Sequence, residues 1–457
     1  MDQQADQTRL LPEDMLACVL GRLAPRSLAT SRCVCKAWRD TIDARCILRA
    51  DLLPLSLAGI FINFNELRYS EFFSRPPRPE GLVGNRESRH VQCAMKDHCN
   101  GLVLHYNRVA NPATGWTAPL PPPPPPKGAG MECFVDEAYL VYDPTVSAHY
   151  QVVLIPCVPY IELDIEPGEE IDFDVDPAVL ESEWPPSSCV QRVFSSSAKR
   201  WEERTFSREG ETAGTVAYLG TDCSWNKRHA VYWHDALYVH CQKGFVMRYV
   251  ATDHFLSIII IIILSFIISI FICWLSLSNS TYQMIKRPGD LEPESCTDLN
   301  LGKSKKGVYF ALVRASHQIQ VWVLTESCGH IKWVLEHDTR LKYNNGKYIK
   351  HFGGNATTAV ETTIEENFEW NSDDDNDDGV DTKDVVDKCN RGIYFLGFHP
   401  FREIIFLERN LSRGLAYNLN TSKIQDLGNL CPKYYDAIAG PRGLIEASFP
   451  YTPCWMK

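Results

Sequence analysis

The sequence predicts a multi-domain α + all-β protein: a small three-helix module, then a β-propeller-like domain interrupted by an apolar segment at 255–273. Three observations predict it. Apolar residues recur at helical spacing within the first fifty residues. From about Gln92 onward, short runs rich in Val, Ile, Tyr, Phe and Trp are bounded by Gly, Pro, Asn, Asp and Ser, with no long helical period between them. With 45% hydrophobic residues in 457, the chain can also bury a sizeable core, which excludes wholesale disorder.

Leu10-Leu11-Pro12-Glu13-Asp14 reads as a helix start, with proline at the first helical position and two acids at the positive end of the dipole. Leu16, Val19, Leu20 and Leu23 then give one apolar stripe about two turns long. Gly21 weakens this helix and Pro25 ends it. Ser27 is placed to cap a second helix, and Cys33 to Ile42 form a third. Three short helices cannot bury much surface alone, so a unit with Leu, Val and Trp to spare should borrow a partner's surface.

The ordered string Leu11-Pro12-Glu13-Asp14-Met15-Leu16, Leu23-x-Pro25-x-Ser27-Leu28 and Arg32-Cys33-Val34-Cys35-Lys36-Ala37-Trp38-Arg39 closely resembles an F-box, placed at 9–51 after a short polar tail at 1–8. The resemblance implies docking on the Skp adaptor of Skp–cullin–F-box ubiquitin ligases, and through it on a cullin. It assigns that contact to Leu11, Pro12, Leu16, Val19, Leu20, Leu28, Val34, Cys35 and Trp38.

Residues 52–90 read as a mixed linker, within which Leu57 to Ile62 has strand character. The β domain is placed at 91–457. Strands are expected at 101–104, 138–142, 151–155, 229–233, 236–240, 308–312, 319–323 and 404–407. Faint repetition favours a propeller over a sandwich. Asn111-Pro-Ala-Thr114 with Leu120 matches Asn418-Leu-Asn-Thr421 with Leu427, and Asp143-Pro144 and His399-Pro400 turns follow strands. Phe194–Trp201 and Val321–Trp333 read as hairpins ending in tryptophan. Cys99-Asn-Gly-Leu-Val103, Val109 to Trp116 and Val321 to Glu326 resemble the kelch-like F-box-associated region of plant, particularly grass, F-box proteins; the resemblance carries over no ligand residues.

Three segments stand apart. Pro121 to Pro126 is a six-proline run, stiff and extended; a spacer between hairpins suffices to explain it, and a proline-reading domain could use it as bait. Residues 361–388 carry twelve Asp/Glu against two Lys, a local net of −10 in a chain of net −11. That run contains Asp374-x-Asn376-x-Asp378-Gly379, but position twelve is Val385 where a calcium loop needs Glu, so a solvated acidic loop is expected. Phe255 to Cys273 holds sixteen apolar residues of nineteen and no charge, long enough to span a bilayer of about 20 residues. It sits inside a β region, and a single crossing would part the two halves of one domain. Its Ile, Phe, Leu, Ser and Cys have uridine-rich codons, so residues 249–274 are expected to be a retained, translated intron, the alternatives being a transmembrane helix and a buried strand or helix.

Catalytic, cofactor and metal signals are not expected: there is no GxSxG, P-loop, HExxH or Rossmann fingerprint. Cys93, His98 and Cys99 lie close together without a second ligand pair. The seventeen cysteines include no CxxC and read as reduced thiols; with no apolar leader at Met1–Thr8, a cytoplasmic or nuclear protein is expected. No strongly basic stretch argues for nucleic acid. The expected function is a non-catalytic substrate receptor, the F-box holding the ligase and the β domain an unknown protein target. The alternative is a membrane-anchored binding protein, single-pass through 255–273, or a propeller enzyme outside ubiquitination.

Overall fold

The computed structural model describes residues 12–23, 27–28, 31–32, 34–45, 47–48, 56–74, 93–126, 133–159, 176–221, 229–250, 281–288, 298–314, 317–327, 330–344, 347–351, 360–361, 392–409, 413–432, 434–440 and 443–454. Helices are few among the described residues: α1 (Glu13–Leu20), α2 (Lys36–Ala44), α3 (Pro177–Leu180), α4 (Val216–Gly220) and α5 (Tyr435–Ala439), with Ser27, Leu28 and Ser31 helical as well. Among the described residues the strands pair antiparallel, with one exception given below.

The strands run in chain order, mostly as four-stranded meanders. The first pair, β1 (Gly59–Phe64) and β2 (Ser70–Phe73), is followed by a sheet of β3 (Asp97–Cys99), β4 (Leu102–His105), β5 (Arg108–Asn111) and β6 (Trp116–Pro119). Next come β7 (Val135–Val141), β8 (Gln151–Cys157), β9 (Glu183–Trp184), β10 (Ser188–Ser195), β11 (Arg200–Glu209) and β12 (Gly214–Thr215). Of these, β7, β8, β10 and β11 form one meander, and β9 pairs with β12 at its side. The meander of β13 (Ala230–Trp233), β14 (Ala236–His240), β15 (Val246–Val250) and β16 (Thr281–Ile285) joins it through a parallel β11–β16 pairing, Ser207 opposite Thr281.

The next sheet is β17 (Asp298–Ser304), β18 (Gly307–Val313), β19 (Gln318–Ser327), β20 (His330–Asn344), β21 (Lys347–His351) and β22 (Val360–Glu361). It is followed by β23 (Ile393–Phe398), β24 (Ile404–Arg409), β25 (Arg413–Asn418) and β26 (Ile424–Asn429). The last strand, β27 (Ile445–Tyr451), pairs with β1, Phe61 opposite Phe449, so the beginning and end of the domain share one sheet.

The first strands of the sheets, with β27 in place of β1, meet around a common centre. β3 packs on β7, β13 and β27; β13 packs on β17, β17 on β23, and β23 on β27, which closes the circuit. Apolar layers fill the space between successive sheets: Phe61 with Val103 and Tyr451, Leu104 with Tyr142 and Phe194, and Val193 with Val239 and Tyr249. The series continues with Val246, Phe310 and Trp322, then Val321, Ile405 and Tyr417, then Ile60, Phe406 and Tyr435. All eight expected strands are present, and both tryptophan hairpins form, Phe194 pairing with Trp201 and Leu324 with Trp333.

The repeated turns fall at equivalent points of different sheets. The two Asn turns join third strand to fourth, β5 to β6 and β25 to β26. In each, the asparagine Oδ1 accepts a backbone N–H two residues on, from Ala113 and from Asn420. The Asp-Pro and His-Pro turns both follow first strands, β7 and β23.

Three expectations are corrected. Gly59–Phe64 and Ser70–Phe73, within the expected 52–90 linker, are sheet, because Ile60, Ile62 and Phe64 bury their side chains with Leu396, Phe406 and Tyr435. The insertion expected at 249–274 begins later. Tyr249 and Val250 lie in β15, the Tyr249 ring packing against Phe206 and Tyr282, 5.5 and 5.6 Å between centres. Pro12 sits one position before the helix, as the N-cap of α1, rather than at its first turn. The block 255–273, the residues of 361–388 beyond Glu361, and the calcium-like turn lie outside the described residues. No helix among the described residues is long and apolar enough to cross a membrane.

Candidate functional site

Two surfaces gather the residues that chemistry can use. The first is the N-terminal helical module. Leu16, Leu20 and Leu28 close with Ile42 and Leu48 into a small core against which Trp38 and Ile47 pack. Leu20 and Ile42 are fully buried, so one face of α1 is spent on internal packing. Arg32 holds the module's shape through a two-pronged pair to Asp43, Nε and Nη2 each 2.8 Å from a carboxylate oxygen.

The nine residues expected at the Skp contact therefore divide by burial. Leu16, Leu20 and Leu28 face the module's own core, whereas Pro12, Val19 and Val34 lie on its surface, Val19 and Val34 at 50% and 60% exposure. Cys35 and Trp38 are half-buried, and Leu11 lies outside the described residues. Met15, 55% exposed, was missed. Its signal was its place four residues before Val19, with Leu23 four after, which puts all three on one helical stripe. An aliphatic stripe left in water beside a completed core is a surface shaped for a partner.

The second surface is a cavity of about 620 Å³ at the centre of the ring of first strands. Its walls are tied by side chains where backbone ladders do not reach. Asn100 Nδ2 donates to Tyr142 O (2.7 Å), Asn111 Nδ2 to Cys454 O (2.7 Å), Ser448 Oγ to Leu396 O (2.5 Å), and Ser304 Oγ to Arg402 O (2.7 Å). Asn100 and Gly101 form the two-residue β3–β4 turn with φ of 45° and 89°. A Cβ on Gly101 would stand 2.3 Å from the Cys454 Cβ, so only glycine allows this close approach.

The reactive-looking groups here are held quiet. Asp97 is buried and accepts Leu140 N–H at 2.7 Å; burial raises its pKa to about 7 against those backbone bonds. Burial, with Lys303 nearby, lowers the pKa of His98 to about 4, so its imidazole is neutral. Burial raises that of Cys99 to about 12, and its thiol donates to Tyr142 O at 3.2 Å. His98 and Cys99 thus belong to the cavity wall, while Cys93 is not among the lining residues. Among the described residues no cluster of His, Cys, Asp and Glu could hold a metal ion.

Lys303 differs from these. Its ammonium stands over the Trp233 ring, 5.1 Å from the centre, and donates to Asn100 Oδ1 at 3.5 Å. Burial lowers its pKa, with Cys99 and Asp143 opposing that shift. Among the described residues no carboxylate comes within ion-pair distance of it. Thr452, also on the wall, has a buried hydroxyl without a hydrogen-bond partner among the described residues. A desolvated cation over an indole, in a cavity whose wall also carries a spare hydroxyl, can anchor a polar or acidic group with an apolar neighbour. Nothing in the sequence marked Lys303, Trp233, Asn100 and Thr452 as a set, since more than 350 residues separate the first and last.

An F-box domain model matches residues 9–49. A search of the curated proteins finds no match. Among solved structures, a Bacteroides uniformis protein assigned as a 6-phosphogluconolactonase is 10% identical over 73% of this chain and 81% of its own, with a TM-score of 0.29. The computationally designed Ika8 protein is 10% identical over 72% and 85%, with a TM-score of 0.23. Scores this low carry no argument about fold or activity. F-box domains bind the Skp adaptor of Skp–cullin–F-box ligases, which implies a substrate-adaptor role in general, typically non-catalytic, with association to a cullin.

Proposed function

We propose that this chain is the substrate-recognition subunit of a Skp–cullin–F-box ubiquitin ligase, working in the cytoplasm or nucleus. Pro12, Met15, Val19 and Val34 dock the Skp adaptor, and the β domain holds a target protein. The observation that carries this is the division of the helical module into a self-contained core and an exposed aliphatic stripe. The protein contributes effective concentration and orientation, and the covalent chemistry belongs to other subunits.

We further propose that the β domain is a six-bladed, kelch-like propeller, closed by β27 with β1 and β2. Support comes from the closed circuit of first strands, the six apolar layers between successive sheets, and the repeated turns at matching positions. The target is read at the mouth of the central cavity, where Lys303 and Trp233 offer a cation and an aromatic face. A single-pass anchor through 255–273 is not proposed. Val250 pairs with Thr281, and one crossing of a hydrocarbon core about 30 Å thick would separate these paired residues.

The test compares proteins captured by the full chain with those captured by Lys303→Met/Trp233→Ala, with cullin activity blocked so that targets persist. The double variant should lose a discrete set of partners while retaining the Skp adaptor. An unchanged set of partners would remove the cavity from target recognition.

A further inference from the structure

The geometry points to a second docking element: Pro121–Pro126 is a preformed ligand strap for a protein domain whose groove, lined by aromatic rings, reads polyproline helices. Each pyrrolidine ring fixes its own φ, and each of residues 120–125 precedes a proline and is thereby held out of the α region. All the peptide bonds of the run are trans. Such a chain has one conformation open to it, the left-handed helix with three residues per turn and about 3.1 Å of rise, so the strap is roughly 16 Å long.

The fold then fixes which side of that helix faces outward. Trp201 Nε1 donates to Pro121 O at 2.8 Å, and Arg192 Nη1 donates to Pro124 O at 2.6 Å. Arg192 is itself held by an ion pair with Asp136 on β7. Pro121 and Pro124 are one turn apart, so both anchors grip the same face of the helix. Pro122 and Pro125 form a second face, Pro123 and Pro126 a third; these four and Pro121 are exposed, while Pro124 is half-buried. Two exposed proline pairs separated by an anchored residue make a ridge of the shape that polyproline-reading grooves accept.

A spacer would need only length and stiffness; it would not need its carbonyls tied at Pro121 and Pro124 while Pro122, Pro123 and Pro125 stay exposed. A free polyproline peptide must still find its pose against a partner, but this strap is held rigidly on a sheet, so less ordering entropy opposes binding. The strap joins β6 to β7 and shares no lining residue with the central cavity, so the proposal stands apart from the target-binding reading.

The test titrates the full chain into two isotope-labelled probes, an SH3 domain of PxxP specificity and a WW domain, beside a synthetic peptide spanning 119–128. The strap predicts saturable binding of the full chain by at least one probe, as tight as the peptide or tighter, with shifts confined to the aromatic groove. Pro122→Ala/Pro125→Ala should weaken it about tenfold or more, which is about 1.4 kcal/mol. Trp201→Phe, which deletes one anchor and no proline, should weaken it a few-fold. Binding by the peptide but not the chain would show the ridge occluded. Failure of both, or equal binding by the double variant, would equally overturn the proposal.

Discussion

Asp97 shows how burial alone sets a residue's chemistry. With a pKa of about 7 in the folded chain against 3.8 when unfolded, the folded state holds this proton the more tightly. Its contribution is therefore most favourable below pH 3.8 and is lost as pH rises toward 7. His98 has the opposite sign: its pKa falls to about 4 from 6.5, so its contribution is lost as pH drops through that interval. Asp97→Asn keeps an acceptor for Leu140 N–H and removes the ionisation. The stability of this variant relative to the parent should rise steadily between pH 4 and 7 in urea titrations. A difference that does not vary with pH would show that Asp97 does not titrate in this window. At this scale the sequence was least informative. It grouped His98 with Cys93 and Cys99 but did not mark Asp97 or Lys303, because their surroundings come from strands far apart in the chain.

At the scale of elements, the strands were legible because each is short, β-branched or aromatic, and bounded by turn residues. Two hairpins were legible through their closing tryptophans, Trp201 and Trp333, whereas the Asn100-Gly101 turn of β3–β4 was not read as one. Pairing beyond the hairpins was not legible. The strand character of Leu57 to Ile62 was visible, but its partner lies almost four hundred residues away in β27, and no local pattern encodes that distance. Tyr249 likewise reads as the edge of the apolar insertion until its ring is seen against Phe206. The β15–β16 pair makes a direct prediction, since Val250 already faces Thr281 across a 30-residue connection. Replacing 251–280 by Asn-Gly shortens that loop by nearly four doublings, a gain of about 2 kcal/mol at roughly 0.6 each. The shortened chain should express solubly and melt no lower than the parent by calorimetry. A lower melting temperature would mean that the insertion contributes packing of its own, against the retained-intron reading that we propose for it.

For the whole molecule, closure of the ring through β1 and β27 is the feature on which everything else rests. Phe61 and Phe64, with Ile60 and Ile62, are buried in two of the six layers between sheets. At about 1.5–3 kcal/mol each, four such side chains match the net stability of a typical domain, about 5–15 kcal/mol. Removing residues 1–74 should abolish cooperative thermal unfolding; removing 1–55, which leaves β1 and β2, should preserve it. Equal melting of the two truncations would show that the ring does not need its N-terminal strands. The general plan of helical module followed by β meanders was readable from periodicity, and the adaptor role from an ordered string of residues. Which of those residues are core and which are surface was not, because helical spacing marks an apolar face without saying whether a second face is also left apolar.

The most direct test of the central claim is the affinity of the full chain for purified Skp adaptor, measured beside Val19→Asp. Val19 is half-exposed and outside the module's core, so the variant should melt within a few degrees of the parent, a surface change usually costing less than about 0.5 kcal/mol. Placing a carboxylate in the buried aliphatic interface should weaken binding about tenfold or more. Specific binding by the parent, weakened in this way without loss of fold, is the predicted result. No binding by the parent, or equal binding by the two, would contradict the assignment of this chain as a ligase adaptor that docks through the α1 stripe.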